Sequence, residues 1–151
     1  MKAFHFRLDQ ALRWRATQVD IEKSRAAAAA AQLVAVRLEL EARRNELKSG
    51  ARSLMGTSTG SALAGFAAWR ERTMLRIESL EKTEQDAERA VAAQMQLLVE
   101  ANRRCRLLEN LRHTEHAQWQ KEFGRELEAF ASEAFLGRLQ SKSGRARSSG
   151  G

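Results

Sequence analysis

Along the first third of the chain an apolar residue returns at every seventh position: Leu12, Val19, Ala26, Leu33, Leu40, Leu47 and Leu54. On an α-helix this repeat makes a narrow stripe, suited to lie along another helix rather than to wrap a globular core. It predicts a first helix over about residues 6–54. The next segment, Met55-Gly56-Thr57-Ser58-Thr59-Gly60-Ser61, combines two glycines with four hydroxyl residues and predicts a turn over 55–61. Gly56 suits a left-handed C′ position there, and Ser58, Thr59 or Ser61 suits an N-cap. A second helix follows over about 61–136, with Gly124 as a weak point and Gly137 as a stop.

The second helix has its own stripe, Leu63, Ile77, Val91, Leu98 and Cys105, interleaved with Phe66, Leu80, Ala87, Ala101 and Leu108. Folding back at the turn pairs residues whose numbers add to 117: Leu12 with Cys105, Val19 with Leu98, Ala26 with Val91, Leu40 with Ile77, Leu54 with Leu63. In that register Glu84 faces Leu33 and Arg70 faces Leu47. Polar seam residues of this kind either fix register or snorkel out of a narrow seam, and the second reading is preferred. The expected fold is therefore all-α. Two long helices form an antiparallel coiled-coil hairpin over 1–140, the second helix being the longer, and a disordered basic C-terminal tail covers 141–151.

Helix length gives a further expectation. At 1.5 Å per residue the two helices span about 75 Å and about 115 Å, so the second outruns the first beyond Leu111. The overhang carries Trp119, Phe123, Leu127, Phe130 and Ala134 on one face. That face either waits for an external partner or is buried by a bend at Gly124.

Composition fits long helices. The 151 residues include no Pro, and aromatic residues make up only 6%. The single cysteine, Cys105, excludes an internal disulfide and fits a reducing compartment. The opening residues do not resemble a signal peptide, and no apolar run approaches the roughly 20 residues of a membrane span, so a soluble cytoplasmic protein is expected. The net charge of +7 is uneven. Residues 1–60 carry 11 basic and 6 acidic groups, residues 61–140 carry 12 and 13, and the last 11 residues add Lys142, Arg145 and Arg147. A basic first helix and tail favour acidic partners. No groove-reading or base-stacking motif accompanies them, so specific nucleic-acid recognition is not expected.

Catalytic signals are absent. There is no Gly-rich phosphate loop, nucleophile elbow or Cys-x-x-Cys. His113 and His116, one turn apart with Glu109 before them, have metal-like spacing but lack a third strong ligand, and a solvated face is preferred. Cys105 stands among Arg103, Arg104 and Arg106, yet without a base or pocket it reads as a small seam residue. The acidic pairs Glu39/Glu41 and Glu126/Glu128 lie on different helix faces. No cofactor and no enzymatic activity is expected. Six consecutive alanines, 26–31, read as helix stabilisation.

The opening Phe4-x-Phe6-x-Leu8-x-x-x-Leu12 before a long helix resembles the flagellar export protein FliJ family. The basic stretch Arg103-Arg104-Cys105-Arg106-Leu107-Leu108-Glu109-Asn110-Leu111-Arg112 and the Glu-rich end at Glu126, Glu128 and Glu133 are similar to it as well. The resemblance covers nearly the whole chain in layout. It implies a non-catalytic coiled-coil stalk of the type III export apparatus, like the central stalk of a rotary ATPase. Such a stalk is cytoplasmic and peripheral at the inner membrane, with the export ATPase ring, the export gate and export chaperones as partners. By layout, Arg7, Arg13, Arg15, Arg103, Arg104, Arg106 and Arg112 are candidates for the ATPase ring. Leu40, Leu47, Phe66 and Trp69 are candidates for the gate, and Trp119, Phe123, Leu127 and Phe130 for an exposed C-terminal docking face. The alternatives are a stalk of a virulence-type system and a basic coiled coil that binds nucleic acid or anionic membrane.

Overall fold

A computed structural model describes residues 2–56 and 59–148. Two helices, α1 (Asp9–Leu54) and α2 (Gly60–Ser148), pack against each other as a helical hairpin. The first helix starts at Asp9 rather than Phe6. Leu8 takes the N-cap position, its carbonyl accepting from the Leu12 N–H at 2.9 Å. Asp9 then places a carboxylate in the first turn, where the helix dipole favours it.

At the far end of α1 the Met55 N–H reaches the Arg52 carbonyl at 3.3 Å, which tightens the last turn. Gly56 does not adopt the predicted left-handed conformation, since no described glycine has a positive φ. Thr59 is the N-cap of α2, its carbonyl taking the Leu63 N–H at 3.2 Å. Ser58, the other cap candidate before α2, lies outside the described residues.

Helix α2 passes through Gly124 and Gly137 and reaches Ser148, so the predicted stop at 136 and the disordered tail from 141 are corrected up to that residue. The physical reason is local. No proline intervenes to break the helix, and the hydroxyls of Ser141 and Ser143 are accommodated within it, donating to the Arg138 and Gln140 carbonyls, both at 2.9 Å.

The chain divides into two compact units, Arg15–Arg104 and Met1–Trp14 with Cys105–Gly151. In the first, the predicted stripe of α1 faces inward. Val19, Leu33 and Leu40 are buried, and Ala26, Leu47 and Leu54 are half-buried. A second inward column, Arg15, Glu22, Ala29, Val36, Arg43 and Gly50, completes the alternating three- and four-residue steps of a coiled-coil seam.

The register differs from the predicted one. Cross-helix ion pairs flank the seam, Glu39 with Arg76 at 2.9 Å on one side and Arg44 with Glu81 at 3.0 Å on the other. Their residue numbers add to 115 and 125, and since the two flanks of an antiparallel pair lie symmetrically about its seam, the register centres near 120 rather than 117. The predicted stripe of α2 also breaks below Ile77. Its inward residues there are Ala62, Phe66, Trp69 and Thr73, and the two successive four-residue steps from Trp69 to Ile77 form a stutter. That offset turns Arg70 and Leu63 outward, Leu63 being 49% exposed.

The other unit carries the N-terminal residues beside the second half of α2. Phe6, Leu12 and Cys105 are its buried side chains.

Candidate docking surfaces

The hairpin unit, Arg15–Arg104, is held in register by charge as well as by its seam. The Arg37 guanidinium donates to Glu84 at 2.9 Å and to Glu88 at 2.8 Å. The hydrogen bond to Glu84, then that to Glu88, raises the pKa of Arg37 above its ordinary value. Glu84, predicted to sit against Leu33, is half-buried with its carboxylate swung out to this arginine, which is the snorkelling arrangement. Deeper in the seam the Gln94 side-chain amide donates to the Glu22 carboxylate, so one layer of the interface is polar and satisfied. The buried Thr73 hydroxyl is satisfied by the Trp69 carbonyl at 2.9 Å. Arg43 is less well served. It bonds Glu46 at 3.0 Å, but its Nε is buried without a hydrogen-bond partner.

The four gate candidates all belong to this unit and fare differently. Leu40 is only 3% exposed, so it is a core residue of the hairpin and is withdrawn as a contact residue. Phe66 and Trp69 are half-buried, their ring centroids 5.5 Å apart. Both rings lie over Gly50, and a Cβ placed there would come within 2.6 Å of the Trp69 ring. Leu47 lines an open groove of about 780 Å³ together with Arg44, Arg70, Met74 and Leu75. Sequence analysis missed Met74 and Leu75, which are large, exposed and off both seam columns. Their signal was there to be read, because apolar residues outside the period-seven stripe of a charged helix have no internal partner.

The ATPase-ring candidates divide between the units. Arg15, Arg103 and Arg104 belong to the hairpin unit. Arg15 is half-buried, Arg103 exposed, and Arg104 is tied to Glu100 at 3.1 Å. Arg7, Arg13, Arg106 and Arg112 belong to the other unit and are all exposed. There Arg13 pairs with Asp9 at 3.0 Å. Arg112 lines a groove of about 430 Å³ with Phe4, Leu12, Glu109, His113 and His116.

In that same unit the predicted C-terminal face proves to be two surfaces. Its first residue, Trp119, is covered by the chain itself. The indole N–H donates to the Lys2 carbonyl at 3.3 Å, and the Phe4 ring lies 6.0 Å from the indole and edge-on to His116 at 4.9 Å. The cover is therefore the N-terminal segment, which neither a bend at Gly124 nor an outside partner had suggested. Phe123 stacks on Trp119 at 5.4 Å and closes this aromatic cluster. Beyond it Leu127 is exposed and Phe130 is 73% exposed.

Two of the residues weighed for chemistry, His116 and Cys105, are packed, and His113 is exposed. His116 is a ring in the aromatic cluster, stacked 5.8 Å from Trp119. Among the described residues no three His, Cys, Asp or Glu side chains are grouped to hold a metal ion. Cys105 is buried, its Sγ 3.8 Å from a Glu109 carboxylate oxygen one turn on. Among the described residues no helix is long and apolar enough to cross a membrane. No family model, no curated protein and no solved structure matches the chain.

Proposed function

We propose that this chain is a non-catalytic stalk of a bacterial flagellar type III export apparatus. On this reading it works in the cytoplasm, peripheral to the inner membrane, docks in the export ATPase ring and reaches the export gate, with export chaperones as further clients. The observation that carries the reading is a two-helix antiparallel seam locked on both flanks by Arg–Glu pairs, in a chain that opens Phe4-x-Phe6-x-Leu8-x-x-x-Leu12. A stalk that passes motion from a ring to a gate has to resist sliding of one helix along the other. Cross-helix pairs on opposite flanks oppose slip in both directions, which an apolar stripe of uniform period does weakly.

On this reading ring contact falls to Arg7, Arg103, Arg106 and Arg112, which are exposed and, among the described residues, are not tied to a carboxylate one turn away as Arg13 and Arg104 are; their positive charge suits an acidic partner. Gate contact falls to Leu47, Met74 and Leu75, which line the open groove, and to the Phe66–Trp69 ring pair.

The test is capture of the purified export ATPase by the full chain at low and high salt. Retention at low salt that fades as salt rises is expected, and Arg103→Glu/Arg106→Glu weakens it. No retention at low salt overturns the proposal. Capture of a virulence-type secretion ATPase in preference to the flagellar one moves the stalk to that system.

A further inference from the structure

We propose that the last turns of α2, residues 135–145, form a surface helix for an anionic lipid bilayer. After Glu133 the chain has no acidic residue, while Arg138, Lys142, Arg145 and Arg147 follow within fifteen positions. Interleaved with them are Phe135, Leu136 and Leu139, which are 63%, 57% and 49% exposed. At 3.6 residues per turn these sort into neighbouring arcs. Phe135, Leu139 and Leu136 occupy about 100° of the circumference, and Lys142, Arg138 and Arg145 form a cationic row along one border of that arc. The remaining side presents Gln140, Gly137 and Gly144. An apolar arc bordered by cations on a helical segment too polar to span is the pattern of interfacial binding.

Three observations describe the surface that this segment presents. Arg138 and Lys142 make no ion pair among the described residues, whereas Arg37, Arg44 and Arg76 each reach a carboxylate on the facing helix. The hydroxyls of Ser141 and Ser143 are already bonded to carbonyls of their own helix, which lowers the cost of bringing this surface out of water. No atom outside the helix lies within 4 Å of a Cβ placed at Gly137 or Gly144, so the segment is open on that side too.

Charge complementarity selects the occupant. Self-association of this segment would bring rows of like charge together. A nucleic-acid backbone would engage the cations and leave three large apolar side chains in water. Anionic headgroups above acyl chains satisfy both arcs at once, each cation near the surface strengthening binding by about fivefold. This inference does not rest on the stalk reading, and failure of either leaves the other standing, because the ATPase capture experiment contains no lipid.

The full chain is sedimented with vesicles of phosphatidylcholine containing roughly one third phosphatidylglycerol, and with phosphatidylcholine alone. Binding to the anionic vesicles only, weakening as salt rises, is expected. Arg138→Glu/Lys142→Glu lowers it by at least about tenfold, and Phe135→Ser/Leu139→Ser lowers it comparably with helix content unchanged, since both side chains are exposed. Lys23→Glu/Lys48→Glu on α1 leaves it unchanged. The proposal is overturned by equal binding to neutral vesicles, by full binding of the Phe135→Ser/Leu139→Ser chain, by loss of binding in the α1 variant, or by displacement from vesicles by duplex DNA at equal phosphate concentration.

Discussion

Residues 15–104 and residues 120–148 are made of the same helix-forming side chains, yet they spend them differently. In the first stretch leucines and valines meet a facing helix, and arginines find glutamates across it. In the second, phenylalanines and leucines stand in solvent, and its last acidic residue, Glu133, precedes a run of cations. Composition therefore decides that both are helical, and a facing helix decides which apolar groups become core. Stability should accordingly be concentrated in the first stretch, and the proposed bilayer binding in the second.

The sharpest way to break this contrast is to truncate one leucine or aromatic in each. Leu40→Ala should cost about 2–5 kcal/mol, read from urea unfolding followed by circular dichroism, whereas Phe130→Ala should stay within about 0.5 kcal/mol. Comparable losses would mean that the exposed face is core after all.

Glycines give the next largest contrast, with opposite signs. Alanine is the better helix former by about 1 kcal/mol at either site. At Gly124 nothing opposes that gain, so Gly124→Ala should raise stability. At Gly50 the new methyl meets the Trp69 ring at 2.6 Å and 2.7 Å, and the ring is itself held against Phe66. Displacing it outweighs the helical gain, and Gly50→Ala should be destabilising by about 1 kcal/mol net.

A smaller effect is expected where the N-terminal segment covers Trp119. Phe4→Ala removes one edge contact and one tilted contact and should cost about 1 kcal/mol, seen as faster amide exchange near the start of α1 with little change in the exchange of residues 15–104. The weakest effect belongs to the flanking charges. Arg76→Glu should cost under about 1 kcal/mol and less at high salt, and adding Glu39→Arg should restore the wild-type value. Arg37 contributes in the same way with a definite pH signature. Its pKa is raised in the fold, so its share of stability is fully present below the unfolded-state pKa. That share fades as pH climbs through the higher folded value, so a titration from neutral to mildly alkaline pH should show no loss from this guanidinium.

Much of the hairpin was legible because leucine and valine at period seven have one physical use. What escaped notice, Glu84 apart, was the polar part of the seam. Arg15, Glu22 and Arg43 complete the second column of α1, and Thr73 and Gln94 sit in that of α2, because long or self-bonded polar side chains tolerate a narrow interface only two columns wide. The register slipped by three for the same reason, since matching one stripe to another ignores the flanking charges that fix their offset. Leu63 and Arg70 were misassigned because a stutter between Trp69 and Ile77 has no compositional mark. At the other end, Ser-Gly composition argued for disorder in a segment that continues as helix to Ser148. Of the docking residues, exposure removed Leu40 and the N-terminal segment claimed Trp119, facts of tertiary packing that no spacing rule contains.

The three tryptophans are distributed so that the protein carries its own optical labels. Trp14 is largely exposed, Trp69 is wedged over Gly50 in one unit, and Trp119 lies beneath the Phe4 ring in the other. With Trp14→Phe and one further replacement, indole emission from the remaining ring would follow each unit separately during melting, with no dye attached.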